Sequence, residues 1–162
     1  MKKQILQLGN PQLYNHCEEV QKNDLPQIKA VITDLHDTLT DFKKKHRAGR
    51  AIAAPQIGIS KRLVYMHIDE PIVFINPTLS FDDDEMMEVM DDCMSFPNLL
   101  VRVMRHKNIT INFKDTNFAD KEMRLTGDLA ELLQHECDHL DGVLATMRAI
   151  DNKSFFLRQT YE

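Results

Sequence analysis

A chain of 162 residues, 43% apolar and 28% charged, can bury one sizeable core and is read as a single domain over 1–162. Its net charge of −5 gives no support to a general nucleic-acid or anionic-membrane binder. The three cysteines form an odd, sparse set. Met1-Lys2-Lys3-Gln4 opens no apolar leader, and no run reaches membrane-spanning length. Together these read against a disulfide-stapled secreted scaffold and a helical membrane protein, and set a cytosolic location as the expectation.

Taken in order, Ile5-Leu6-Gln7-Leu8 runs into the turn signal Gly9-Asn10-Pro11, and Leu13 to Val20 reads as extended or irregular. From Pro26 to Lys45 the apolar positions Ile28, Val31, Ile32, Leu35, Leu39 and Phe42 recur at three and four, which predicts an amphipathic helix. The basic run Lys43-Lys44-Lys45-His46-Arg47 at its end reads as a solvated helix terminus. His36 and His46 read as surface histidines. Gly49 to Gly58 is dense in small residues, so its backbone can pass close to a ligand or another segment.

Arg62 to Ile68 reads as a strand, and Ile72 to Ile75 as another closed by Asn76-Pro77. Asp82 to Glu85 is an exposed acidic turn without the spacing or glycine of a calcium loop. Val101, Val103, Ile109, Ile111 and Phe113 alternate with polar residues, the pattern of half-buried antiparallel strands. Asp128 with Glu131 forms a capping-box-like start to a helix that Gly142 stops. Ser154 to Glu162 yields no predicted element. The order predicts an α+β fold, with small, mostly antiparallel sheets packed around that late helix.

The late helix carries the chemistry. Gln134-His135-Glu136-Cys137-Asp138-His139 contains His-Glu-x-x-His. On a helix the two histidines differ by about 40° in azimuth and one turn in height, so both can reach one divalent ion. Glu136 projects into the middle of the apolar face set by Leu129, Leu132, Leu133 and Leu140, a costly place for a carboxylate without a task. Glu131, Gln134 and Asp138 are predicted to point away from that face. Two imidazoles and a carboxylate are a hydrolase arrangement, which needs a third protein ligand and an open position. Cys93, a carboxylate or another histidine are the candidates. Cys137 lies on the wrong azimuth, and nothing downstream has a metalloprotease spacing.

Three stretches then resemble, in order, the motifs of the peptide deformylase family. Gly49 to Gln56 is similar to Gly-x-Gly-Φ-Ala-Ala-x-Gln, Asp91 to Ser95 to Glu-Gly-Cys-Leu-Ser, and Gln134 to His139 to Gln-His-Glu-x-Asp-His. Leu8-Gly9-Asn10-Pro11, Ile75-Asn76-Pro77, Val103-x-Arg105 and His139-Leu140-x-Gly142-Val143-Leu144 extend the likeness along most of the chain.

The resemblance implies a metallohydrolase that removes the N-formyl group from the starting methionine of new polypeptides. Cys93, His135 and His139 would hold the metal, usually Fe²⁺, with zinc, nickel or cobalt as substitutes. Glu136 would be the general base and acid, with the Gln56 amide and the Met94 backbone N–H as oxyanion donors. The substrate would lie along Gly49–Ala51 by strand addition. Its methionine side chain would enter an apolar pocket lined by Leu132 and Ile52. The N-formylmethionyl peptide is the implied partner, with action at the ribosome during translation as a further implication. A relative with an altered acyl-amide substrate, or with metal binding but no catalysis, is the alternative.

Five positions depart from the family pattern. Ala51 replaces a glycine and is expected to crowd the substrate backbone. Asp91-Asp92 replaces Glu-Gly, which predicts a lost supporting hydrogen bond and a negative charge near the metal. Glu131 and Leu100 stand where arginine is frequent.

Overall fold

The computed structural model describes residues 1–161. The predicted first helix is present as α1 (Leu25–His46), with Pro26 in its first turn, where no intrahelical N–H is lost. Ile28, Leu35 and Leu39 are its buried apolar positions, as the three-and-four spacing requires. The helix stops at Arg47, which takes a left-handed conformation.

Seven strands follow before the late helix. β1 (Ala51–Ala53), β2 (Leu63–His67), β3 (Pro71–Phe81), β6 (Asn108–Lys114) and β7 (Asp120–Thr126) form one antiparallel sheet in the order β1-β2-β3-β6-β7. β4 (Met86–Asp91) and β5 (Leu99–His106) pair in a second sheet, with β8 (Phe155–Leu157) on the far edge of β5. The late helix is α2 (Asp128–Leu140), and a short α3 (Arg158–Tyr161) ends the described chain.

α2 lies between the sheets. Leu133 and Leu140 pack with Phe74, Ile111 and Ala53 on one face of the larger sheet. α1 covers the opposite face through Leu35 and Leu39, against Ile52, Leu63 and Ile75. A third cluster joins Cys93, Val101, Val103 and Leu144 at the smaller sheet. The architecture is the expected α+β arrangement of antiparallel sheets around a buried helix.

Three local expectations are corrected. Asn76-Pro77 does not end a strand. β3 runs through it with a register shift between Ile75 and Thr78. Asn76 sits at φ 50, and its side chain exchanges two 2.8 Å hydrogen bonds with the Val20 backbone. An amide that mimics a backbone partner holds the irregularity in place. The capping box is also absent: the N-cap is Gly127 at φ 64, and Asp128 is already in the first turn. The C-terminal stretch is ordered, because Phe155, Phe156 and Leu157 pair with Val101, Leu100 and Leu99. Glu162, the last residue of that predicted tail, lies outside the described residues.

Candidate metal centre

The three donors come from two places. Cys93 follows the end of β4, two residues past Asp91, where the chain turns before β5. His135 and His139 stand one turn apart on the buried side of α2. Their ligand-capable atoms all lie within 4.8 Å of one another, and all three residues are buried. Cys93 Sγ is 3.3 Å from His139 Nε2. A thiolate with two imidazoles suits a first-row divalent ion, and three protein ligands leave the open position that a catalytic site needs. The donor set fits the expected metal, and it brings together the three residues the motifs single out.

Glu136 is buried beside them, and its Oε2 has no hydrogen-bond partner among the described residues. Burial pushes its carboxyl up to about 7. A cavity of about 600 Å³ opens onto Cys93, Met94, His135, Glu136 and Leu132. Across it lie Gly49, Arg50 and Ala51. Among the described residues β1 is an edge strand paired only with β2, so its other edge is open to the cavity side.

Gln56 is held on the metal side by its neighbours. Its Oε1 accepts from the Ala53 N–H at 3.0 Å. Its Nε2 lies 3.2 Å from Ser95 Oγ and 3.6 Å from Cys93 Sγ. The backbone N–H of Met94 has no partner among the described residues. Two donors of different origin thus stand next to the sulfur.

Ile52 is not where the pocket expectation puts it. Side chains alternate along a strand, so Ala51 and Ala53 face α2 while Ile52 faces α1. Ile52 is fully buried there and does not line the cavity. Leu132 does line it. The wall beside Leu132 is polar, not apolar: Glu131 and Arg50 both face the cavity, 3.5 Å apart. The Ala51 methyl packs into the core shared with α2.

The residues that point away from the apolar face are not solvated either. Gln134 is buried and bonds both the N–H and the carbonyl of His106, at 2.9 and 2.8 Å. Asp138 accepts from Arg105 at 2.6 Å and from Arg148 at 2.6 and 2.9 Å. Periodicity marks the side facing one sheet, and cannot register that β5 covers the other side.

Asp91 overturns the expectation of a lost support. Its Oδ2 accepts from Arg105 Nη2 at 2.8 Å, and its Oδ1 lies 2.9 Å from His135 Nδ1, off the line of the ring N–H. Burial opposes its charge, but His135 and Arg105 outweigh burial and hold the carboxyl well below the usual range. The same pairing works in reverse on His135: burial opposes its charge, and Asp91 and Cys93 raise its pKa well above the ordinary value. Burial and the neighbouring His135 lower that of His139. The charge of Asp92 is met by Arg158 at 2.8 Å, and its backbone does not take a positive φ. Sequence reading did not pair Asp138 or Arg148 with Arg105, because no spacing rule connects them.

The comparisons agree with this geometry. A family model described as polypeptide deformylase matches residues 2–155. Peptide deformylase 1 of Nitrosomonas europaea is 31% identical over 166 residues, covering 96% of this chain and 92% of that protein. The crystal structure of peptide deformylase from Thermotoga maritima is similar at a TM-score of 0.84 and 33% identity, over 93% of this chain and 99% of that one. The enzyme from Synechococcus elongatus in complex with actinonin is similar at 0.84 and 28% identity, over 93% and 80%.

Proposed function

We infer the roles of individual residues from one premise: the chain belongs to the polypeptide deformylase family and is a hydrolase that removes the N-formyl group from new polypeptides. We assign it one catalytic domain over 1–162 and a cytosolic location, where it meets chains as they leave the ribosome. Among the described residues no helix is long and apolar enough to cross a membrane.

Cys93, through Sγ, and His135 and His139, through ring nitrogens, would hold one divalent ion. When bound, that ion supplies Lewis acidity, lowering the pKa of a water and drawing charge from the formyl oxygen. The family resemblance favours iron(II), and the same soft and borderline donors accept zinc, nickel or cobalt.

The substrate backbone lies along the open edge of β1, at Gly49 to Ala51, by main-chain pairing. Glu136 takes a proton from the attacking water at its unpaired Oε2. The water oxygen bonds to the formyl carbon, and the Gln56 Nε2 and Met94 N–H groups donate to the oxygen that gains charge. Glu136 then returns the proton to the amine nitrogen as the carbon–nitrogen bond breaks, and formate leaves.

The observation that carries this reading is the unpaired Glu136 oxygen beside three converging donors. Formyl-Met-Ala-Ser and its acetyl counterpart test it with freshly loaded Fe²⁺ or Ni²⁺ enzyme. Formate from the first alone supports deformylation, and no turnover of either defeats it. Glu136→Ala should bind the metal and lose turnover.

A further inference from the structure

Inside the cavity, the turn of α2 before His135 and Glu136 presents Glu131 and Leu132. A substrate bound along β1 with its formyl group at the donors would place its first side chain against this turn. The wall there is half apolar and half charged. Leu132 gives the apolar part, while Glu131 and Arg50 give a carboxylate and a guanidinium 3.5 Å apart. The Glu131 side chain is 14% exposed and that of Arg50 43% exposed, so the carboxylate is the deeper of the two.

The pair is unsaturated. A carboxyl group offers about four acceptor positions when ionised and fewer, with one donor, when protonated; among the described residues Glu131 has one hydrogen-bond contact, at the long limit of such a bond. A methionine side chain laid over it carries no donor, and would bury an acceptor without satisfying it. A glutamine side chain has the same length and the same two leading methylenes for Leu132. Its terminal amide offers N–H to Glu131 and a carbonyl oxygen to Arg50.

We propose that Glu131 and Arg50 form a polar selector in the substrate wall, which admits N-formyl peptides beginning with glutamine as a second substrate class beside methionine. This rests on the deformylase reading above. The reaction is unchanged: water adds to the formyl carbon, the carbon–nitrogen bond breaks, and formate and a free amine result.

The test compares formyl-Gln-Ala-Ser with formyl-Met-Ala-Ser on the Ni²⁺ enzyme, by kcat/KM for formate release and by calorimetric binding of the products Gln-Ala-Ser and Met-Ala-Ser. Wild type should process the glutamine peptide within about tenfold of the methionine peptide. In Glu131→Leu the Gln:Met ratio should fall at least about tenfold in both kcat/KM and product affinity. In Glu131→Gln, which keeps a carbonyl acceptor, it should stay within about threefold of wild type. Formate from the methionine peptide alone overturns the selector and leaves the deformylase reading standing. So does a ratio unmoved by Glu131→Leu. No formate from either peptide overturns both.

Discussion

Asp91 Oδ1 stands 2.9 Å from His135 Nδ1, so a carboxylate two residues before the ligand sulfur backs a ring on the late helix. One dipeptide step therefore ties the strand that delivers Cys93 to the helix that delivers both histidines. With the Asp91 carboxylate standing at Nδ1, Nε2 is the nitrogen left for an ion, and a negative charge behind the ring raises its basicity. We expect Asp91→Asn to keep the fold and weaken metal binding about 10–100-fold. A competition titration of the metal-free protein with a chromogenic chelator measures it. Unchanged affinity would show that Asp91 serves only Arg105.

Arg105 is the second partner of Asp91, and its side chain is 3% exposed. It also donates to Asp138 at 2.6 Å, so one guanidinium neutralises two acids. Arg105→Met leaves Asp91 buried with His135 alone. We expect a loss of about 3–5 kcal/mol of unfolding free energy, because an uncompensated buried charge remains. Adding Asp91→Asn should recover part of that loss, since the orphaned charge is then gone. Urea midpoints of wild type, both single variants and the double variant decide it. Additive losses would mean the two residues are not coupled.

These links also mark where sequence reading reached its limit. The His135, Glu136 and His139 spacing declared itself because helix geometry alone converts i and i+4 into one ion-sized gap. α1 was legible for the same reason: its period is local. Cys93 was one candidate among several until the ordered motifs were compared, because its approach depends on the β4–β5 pairing. Ile52 was misplaced by a side-of-strand error, which alternation settles only once β1 is known to lie between α1 and α2. For Gln134 and Asp138 the pattern predicts only that they point away from the apolar face, because a one-faced period cannot register a second sheet. Asn76 looked like a strand end because its positive φ is paid for by Val20, 56 residues away.

Glu131 gives a pH dependence whose sign can be worked out. Burial first, and the charge of Asp91 next, push its carboxyl up to about 7 from an ordinary 4.5. The folded state then binds more protons than the unfolded state between those values, so stability falls as pH rises from about 4.5 through about 7. Glu131→Gln removes this titration. In metal-free protein the variant should match wild type near pH 4.5 and melt higher than wild type near pH 8. Melting followed by circular dichroism at both pH values checks it. An equal difference at the two ends would show that Glu131 titrates normally.

Gly142 fastens the end of α2 to the N-terminal segment. It takes φ +72 immediately after the C-cap Asp141. A Cβ there would collide with the carbonyl oxygen of Tyr14. The same junction holds Leu140 O, which accepts from the Cys17 N–H at 2.8 Å and from Arg62 at 3.1 Å. Gly142→Ala therefore combines left-handed strain with a clash against backbone, which cannot swing aside as a flexible side chain can. We expect a loss of about 1–3 kcal/mol, lowering the melting temperature by roughly 3–10 °C for a chain of this size. Metal affinity should change far less, because Gly142 meets the donor residues only through its N–H to the His139 carbonyl at 3.2 Å, and the helix up to His139 keeps its own hydrogen bonds. Melting curves with and without Ni²⁺ separate the two effects. A variant as stable as wild type would show that the Tyr14 segment yields and that the end of α2 needs no glycine.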